Sequence, residues 1–112
     1  MSDEYEIKLT LHIPHFSWEN DALVKIDHES FCEVLAMRFN DAGITDWYEI
    51  DSHGRYKGRR YDQELWKFYF CKQEQCDFAV RLFLKVFQEW NTVLCQEAAA
   101  YECNGKLFVT VI

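Results

Sequence analysis

Tyr5-Glu6-Ile7-Lys8-Leu9-Thr10-Leu11-His12-Ile13 alternates without a fault. Tyr5, Ile7, Leu9, Leu11 and Ile13 fall on one side, and Glu6, Lys8, Thr10 and His12 on the other. A period of two with one apolar face predicts a half-buried strand. Pro14 ends it, because proline has no N–H to give to a ladder. Residues 14–27 read as a long connection carrying Phe16 and Trp18. Connections of that length serve as lids or binding loops; the plainer reading is that the two aromatics pack over a core edge.

Working outward, a helix is expected to start at Asp27 or Ser30. Ser30 and Glu33 have the spacing of a capping box. Phe31, Val34, Leu35, Arg38 and Ala42 share a helical stripe, and Gly43 marks the stop. Ile44–Asp51 predicts a second strand, and residues 52–63 a polar loop. Glu64–Cys71 predicts a third strand, with Trp66, Phe68 and Phe70 facing opposite to Leu65, Lys67 and Tyr69. Residues 73–90 carry Cys76, Ala79, Val80, Phe83, Val86, Phe87 and Trp90 on a wide apolar stripe, the pattern of a helix lying on a sheet. Residues 98–103 and 106–112 predict two strands joined at Asn104-Gly105, a pair suited to a hairpin turn that needs positive φ twice. This order predicts an α+β fold: a ferredoxin-like sandwich, βαββαβ plus one extra C-terminal strand. Two helices would cover one face of an antiparallel sheet in a single domain spanning residues 1–112.

The chain has 112 residues, 49% of them hydrophobic and 17% aromatic. It is too apolar for disorder and long enough for one core. The acidic start has no apolar core of a secretion signal, and no run approaches the ~20 apolar residues of a membrane span. Five irregularly spaced cysteines, Cys32, Cys71, Cys76, Cys95 and Cys103, read as reduced thiols, which predicts a cytoplasmic location and no membrane partner. The cysteines lack zinc spacing. His12 and His15 lack a completing pair, so no metal and no cofactor are expected.

The net charge of −7 argues against general nucleic-acid binding. It is uneven: residues 1–51 carry −9, residues 52–72 carry +4 and residues 73–112 carry −2. The basic window centres on Ser52-His53-Gly54-Arg55-Tyr56-Lys57-Gly58-Arg59-Arg60-Tyr61. Guanidinium groups match phosphates and carboxylates, and tyrosine stacks on rings. His53, Arg55, Tyr56, Lys57, Arg59 and Arg60 are therefore the candidate binding residues for an anionic small molecule or an acidic protein segment. The alternative is a solvated turn pairing with Asp51, Asp62 or Glu64. On the polar sheet face His12, Lys67 and Tyr69, with Lys8, Thr10 and Thr110 around them, are candidate acid–base groups. The aromatic third strand is similar to the base-stacking strand of RNA-recognition motifs. The glycine-rich signature is missing and the charge is wrong, so Trp66, Phe68 and Phe70 read as core. No phosphate loop, nucleophile elbow or His-Glu-x-x-His is present.

The series Arg38-Phe39, Gly43-Ile44-Thr45, Asp51, Gly54-Arg55-Tyr56-Lys57-Gly58 and Gln96-Glu97 resembles a family of small bacterial proteins of unknown function with a ferredoxin-like pattern. The chain departs from that pattern in the 14–27 connection and at Arg59-Arg60. The resemblance implies the same fold, puts weight on the central hairpin and implies no activity. The reading that follows is a small acidic binding domain, of uncharacterised function, working through its basic hairpin loop at 52–61. Its open sheet face and exposed edges predict a homodimer. Two alternatives stand beside it: a small dimeric enzyme with an acid–base site on the open face, and an acidic inhibitor that mimics nucleic acid.

Overall fold

The computed structural model of the chain describes residues 4–112. The acidic start at Met1–Asp3, part of the case against a leader, lies outside them. Strand β1 (Ile7–Pro14) is followed by β2 (Phe16–Glu19), β3 (Ala22–Lys25) and helix α1 (His28–Asp41). Then come β4 (Tyr48–Tyr56), β5 (Arg59–Phe70), α2 (Gln73–Glu89), α3 (Asn91–Leu94), β6 (Ala98–Cys103) and β7 (Lys106–Val111). The main sheet has the order β4-β5-β1-β6-β7, and every pair in it is antiparallel. Without β7 this is the ferredoxin-like arrangement expected from the sequence; β7 is the extra strand, at one edge.

The alternation expected over 5–13 works from Ile7 to Ile13, whereas Tyr5, expected on the buried side, precedes the strand and is exposed. Leu9 pairs with Phe68 and Leu11 with Trp66, and directly paired residues share a face. Leu9, Leu11, Ile13, Trp66, Phe68 and Phe70 are all buried against the helices. From α1 come Phe31, Leu35 and Phe39, and from α2 Cys76, Ala79, Phe83, Val86 and Phe87. Phe39 takes the place on the buried stripe that the sequence reading gave to Arg38 and Ala42. Arg38 points outward instead, with Nη1 donating to Glu89 Oε2 at 3.2 Å. Each fully buried Leu or Phe contributes about 1.5–3 kcal/mol of burial, so this layer holds the sheet on which the site is built.

Five expectations change. The second strand, expected over Ile44–Asp51, begins only at Tyr48. The 14–27 connection is not a loop: β2 and β3 form a hairpin, register Phe16↔Lys25 to Glu19↔Ala22, closed by Asn20 (φ 47) and Asp21 (φ 60). That turn carries no glycine, the residue that signals two consecutive positive φ values. Residues 52–63 are not a loop either. The strands β4 and β5 run on to a two-residue turn at Lys57 (φ 50) and Gly58 (φ 77). Their charged residues face water on both sides, which erases the alternation a sequence reading looks for. Helix α1 is capped by Asp27, whose carboxylate accepts from Ser30 N–H at 3.2 Å, and not by Ser30. Thr110 leaves the polar face, because it pairs with the buried Ala99. No helix among the described residues is long and apolar enough to cross a membrane.

Candidate functional site

Strand β1 pairs with β5 only from Gln63 onward. The β4–β5 tip, about residues 54–61, therefore projects past the end of β1. The β2–β3 hairpin, placed there by the break at Pro14, lies against this projection. Trp18 meets Tyr56 edge to face with centroids 5.3 Å apart. Lys57 Nζ sits 5.4 Å from the Trp18 ring centroid, and Arg59 Cζ 5.8 Å from it. Lys57 Nζ also lies 4.0 Å from Asp21 Oδ1. One half-buried indole thus carries two cations, each such contact contributing about 0.5–1 kcal/mol near the surface.

Between these hairpins and the start of β6 lies a cleft of about 350 Å³. Its aromatic wall comprises Phe16, Trp18, Tyr56 and Tyr61, and its polar edge includes His12, Gln63 and Gln96. The volume falls in the range of small-molecule sites. Gln96 frames the cleft: its Nε2 donates to the Phe16 and Leu94 carbonyls, both at 2.8 Å, while Asn91 holds its backbone. Gly54 lies opposite Tyr61, and a Cβ there would stand 2.6 Å from the Tyr61 hydroxyl. The absent side chain lets the tyrosine lie flat across the ribbon.

The six hairpin candidates divide. Tyr56 and Arg59 are paired and share the open face with Trp18. Lys57 occupies the turn and reaches the same indole. Arg55 pairs with Arg60, and His53 with Asp62, on the opposite face; Arg55 Nη1 donates to the Gly58 carbonyl at 3.0 Å. The acid–base candidates divide as well. His12 lines the cleft, with Nε2 and Glu102 Oε2 3.0 Å apart. Tyr69 belongs to a separate groove with Tyr5, Gly43 and Phe78. Lys67 lines neither. His12 pairs with Leu65, four residues before Tyr69, which separates the two by roughly 13 Å at strand rise. His12, Lys67 and Tyr69 do not converge on one cavity. Tyr61, read from the sequence with Tyr56 as a residue able to stack on a ring, does line the cleft. Trp18 and Gln96 line it too, although the sequence reading gave neither of them a binding role. The signal for Trp18 was its place in an aromatic-bearing connection; Gln96 stood in the resemblance series, but its role at the cleft is recognisable only once β2 is in place.

The thiols are all free. Burial, with the charge and hydrogen bond of Glu64, pushes Cys32 far above the ordinary thiol range. Burial, with Cys103 Sγ 3.6 Å away, pushes Cys76 up to about 12.

No family model and no curated protein matches the chain. Among solved structures it is similar to a phage SAM lyase in complex with S-methyl-5'-thioadenosine, with TM-score 0.62, 11% identity, and coverage of 95% of this chain and 89% of that one. It is also similar to a phage SAM lyase in the apo state, with TM-score 0.54 at the same identity and coverage. At this identity the likeness establishes a shared α+β fold.

Proposed function

We propose that the protein is a small-molecule-binding domain whose cleft takes a flat ring against Trp18 and Tyr56. The anionic substituent of that ligand meets Lys57 and Arg59. The observation that carries this reading is the aromatic wall with two cations at its rim, enclosing about 350 Å³. A fold neighbour that binds S-methyl-5'-thioadenosine supports a nucleoside-like ligand. A small ligand fits better than an acidic protein segment, because Lys57 and Arg59 bend over Trp18 at the cleft.

Calorimetric titration with adenosine 5'-monophosphate and with S-methyl-5'-thioadenosine tests the reading. Saturable binding of both is expected, tighter for the phosphate, with Arg59→Ala removing the preference. Heat-silent titrations with both compounds, or a Trp18→Ala protein that binds as the parent does, would overturn it.

A second reading, acid–base catalysis in the same cleft, draws on the His12–Glu102 contact at 3.0 Å, a carboxylate-oriented imidazole of the kind general bases use. The homodimer is proposed through β7, an edge strand whose Leu107, Val109 and Val111 are 61%, 62% and 83% exposed.

A further inference from the structure

Behind the cleft, on the helix side of the sheet, three chain segments bring metal-ligating atoms together. His15 follows β1 directly, at the corner made by Pro14. His28 is the first residue of α1. Glu64 sits on β5 opposite Ile13, so it faces the core side. One nitrogen from each histidine and one carboxylate oxygen of Glu64 all lie within 4.8 Å of one another. The two imidazoles stack with centroids 3.6 Å apart. His15 Nε2 is 3.3 Å from Glu64 Oε2, yet it makes no aligned hydrogen bond. Both His15 Nε2 and His28 Nδ1 are buried without a hydrogen-bond partner. Buried polar atoms are nearly always satisfied, and an orphaned one calls for an explanation such as an ion. Two orphaned nitrogens beside one carboxylate call for the same one.

We propose that His15, His28 and Glu64 form a binding site for a divalent transition metal of the zinc type. Two imidazoles and one carboxylate are a donor set such ions take, with a fourth position left for water or a ligand. Tetrahedral zinc spaces its donor atoms roughly 3.4 Å apart. The His15–Glu64 spacing of 3.3 Å already matches, and the His28 ring would have to turn out of its stack on His15 to bring its nitrogen to the same spacing. Cys32 stands one helical turn after His28 on the same face of α1, and its Sγ donates to Glu64 Oε2 at 3.3 Å. It orients the carboxylate as an outer partner. The ion would clamp the β1–β2 corner, the start of α1 and β5 to one another. His15 also lines the cleft, so the metal would adjoin the ligand site, but its binding does not depend on that site being one.

The test uses the full chain after chelator treatment. Zinc titrated by calorimetry is expected to bind at one equivalent and raise the thermal midpoint. His28→Ala and Glu64→Gln should weaken binding by more than about 100-fold, and Cys32→Ala by about 10-fold. Ring-nitrogen NMR of the unmutated protein gives the answer even where a variant does not fold. On zinc addition the His15 Nε2 and His28 Nδ1 resonances should shift, while those of His12 and His53 stay in place. The proposal is overturned if zinc does not bind stoichiometrically, if folded His28→Ala and Glu64→Gln bind as the parent does, or if the shifted resonances belong to His12 or His53.

Discussion

The strands flanking β1 on its two sides belong to two hairpins that share one backbone design and differ in everything their side chains do. Both close with two residues of positive φ ending in glycine, Lys57-Gly58 and Asn104-Gly105. The β6–β7 turn is tied back to β1, where Lys8 N–H donates to Asn104 Oδ1 at 2.8 Å and Asn104 N–H to the Lys8 carbonyl at 2.9 Å. That hairpin ends level with the sheet and presents bare apolar side chains on its edge. The β4–β5 hairpin outruns β1, carries the basic cluster and is roofed by β2–β3. A ribbon that extends beyond its neighbours needs a second surface to rest on, and that second surface makes the cleft. The regular hairpin has an edge, and the overlong one has a site.

The comparison is broken most completely in the buried strand of the β4–β5 hairpin, set against the bare edge of the other. Phe68→Ala, in the buried part of β5, is expected to cost about 3–5 kcal/mol, whereas Leu107→Ala on β7 should stay within about 0.5 kcal/mol. Urea unfolding of the two variants reads both values. At the roofed hairpin, Trp18→Ala removes one wall of the cleft. Affinity for adenosine 5'-monophosphate should fall at least about 10-fold, or ~1.4 kcal/mol, by titration calorimetry, with the sheet intact by circular dichroism.

Alkaline pH probes the layer beneath both hairpins. Cys76, ordinarily ionising at 9.0, keeps its proton to about 12 in the fold because it is buried and bonded to Cys103. The unfolded chain then holds fewer protons over that interval, and stability falls as pH rises from about 9 to about 12. Cys32 adds to the fall in the same direction. Unfolding measured across this window should show the decline, and Cys76→Ala should flatten it. If the proposed homodimer forms through the bare edge, Leu107→Lys with Val109→Lys should shift the sedimentation mass to a single chain while changing chain stability by less than about 0.5 kcal/mol, since edge lysines oppose strand pairing. In Gly54→Ala the new Cβ would stand 2.6 Å from the Tyr61 hydroxyl and 2.7 Å from its Cζ, so the ring must move at a cost of about 1 kcal/mol, and the shifted ring shows as weaker ligand affinity.

Where one face of an element is dry, the sequence spoke clearly. The alternation at 7–13, the stripe of α2 and the aromatic face Trp66-Phe68-Phe70 each record contact with the core, and each lies where expected. Asn104-Gly105 recorded its turn because few residue pairs accept two positive φ values. The ribbon at 52–63 and the hairpin at 16–25 left weaker traces, for both are wet on at least one side and one turns through Asn20-Asp21. The charge of the basic hairpin was legible. Its division between two faces was not, since that depends on a register counted from Gly54↔Tyr61.

By itself, then, the sequence determined the order of the elements, the buried face of the sheet and the place where the charge reverses, because hydrophobic period and composition are local properties. Only the tertiary structure decided which side chains meet. The packing of β2–β3 onto an overlong ribbon brings Trp18 to Tyr56, and the corner at Pro14 brings His15 to His28 and Glu64. These contacts join residues far apart in the chain, so chain folding and strand register set them, and no local pattern records them.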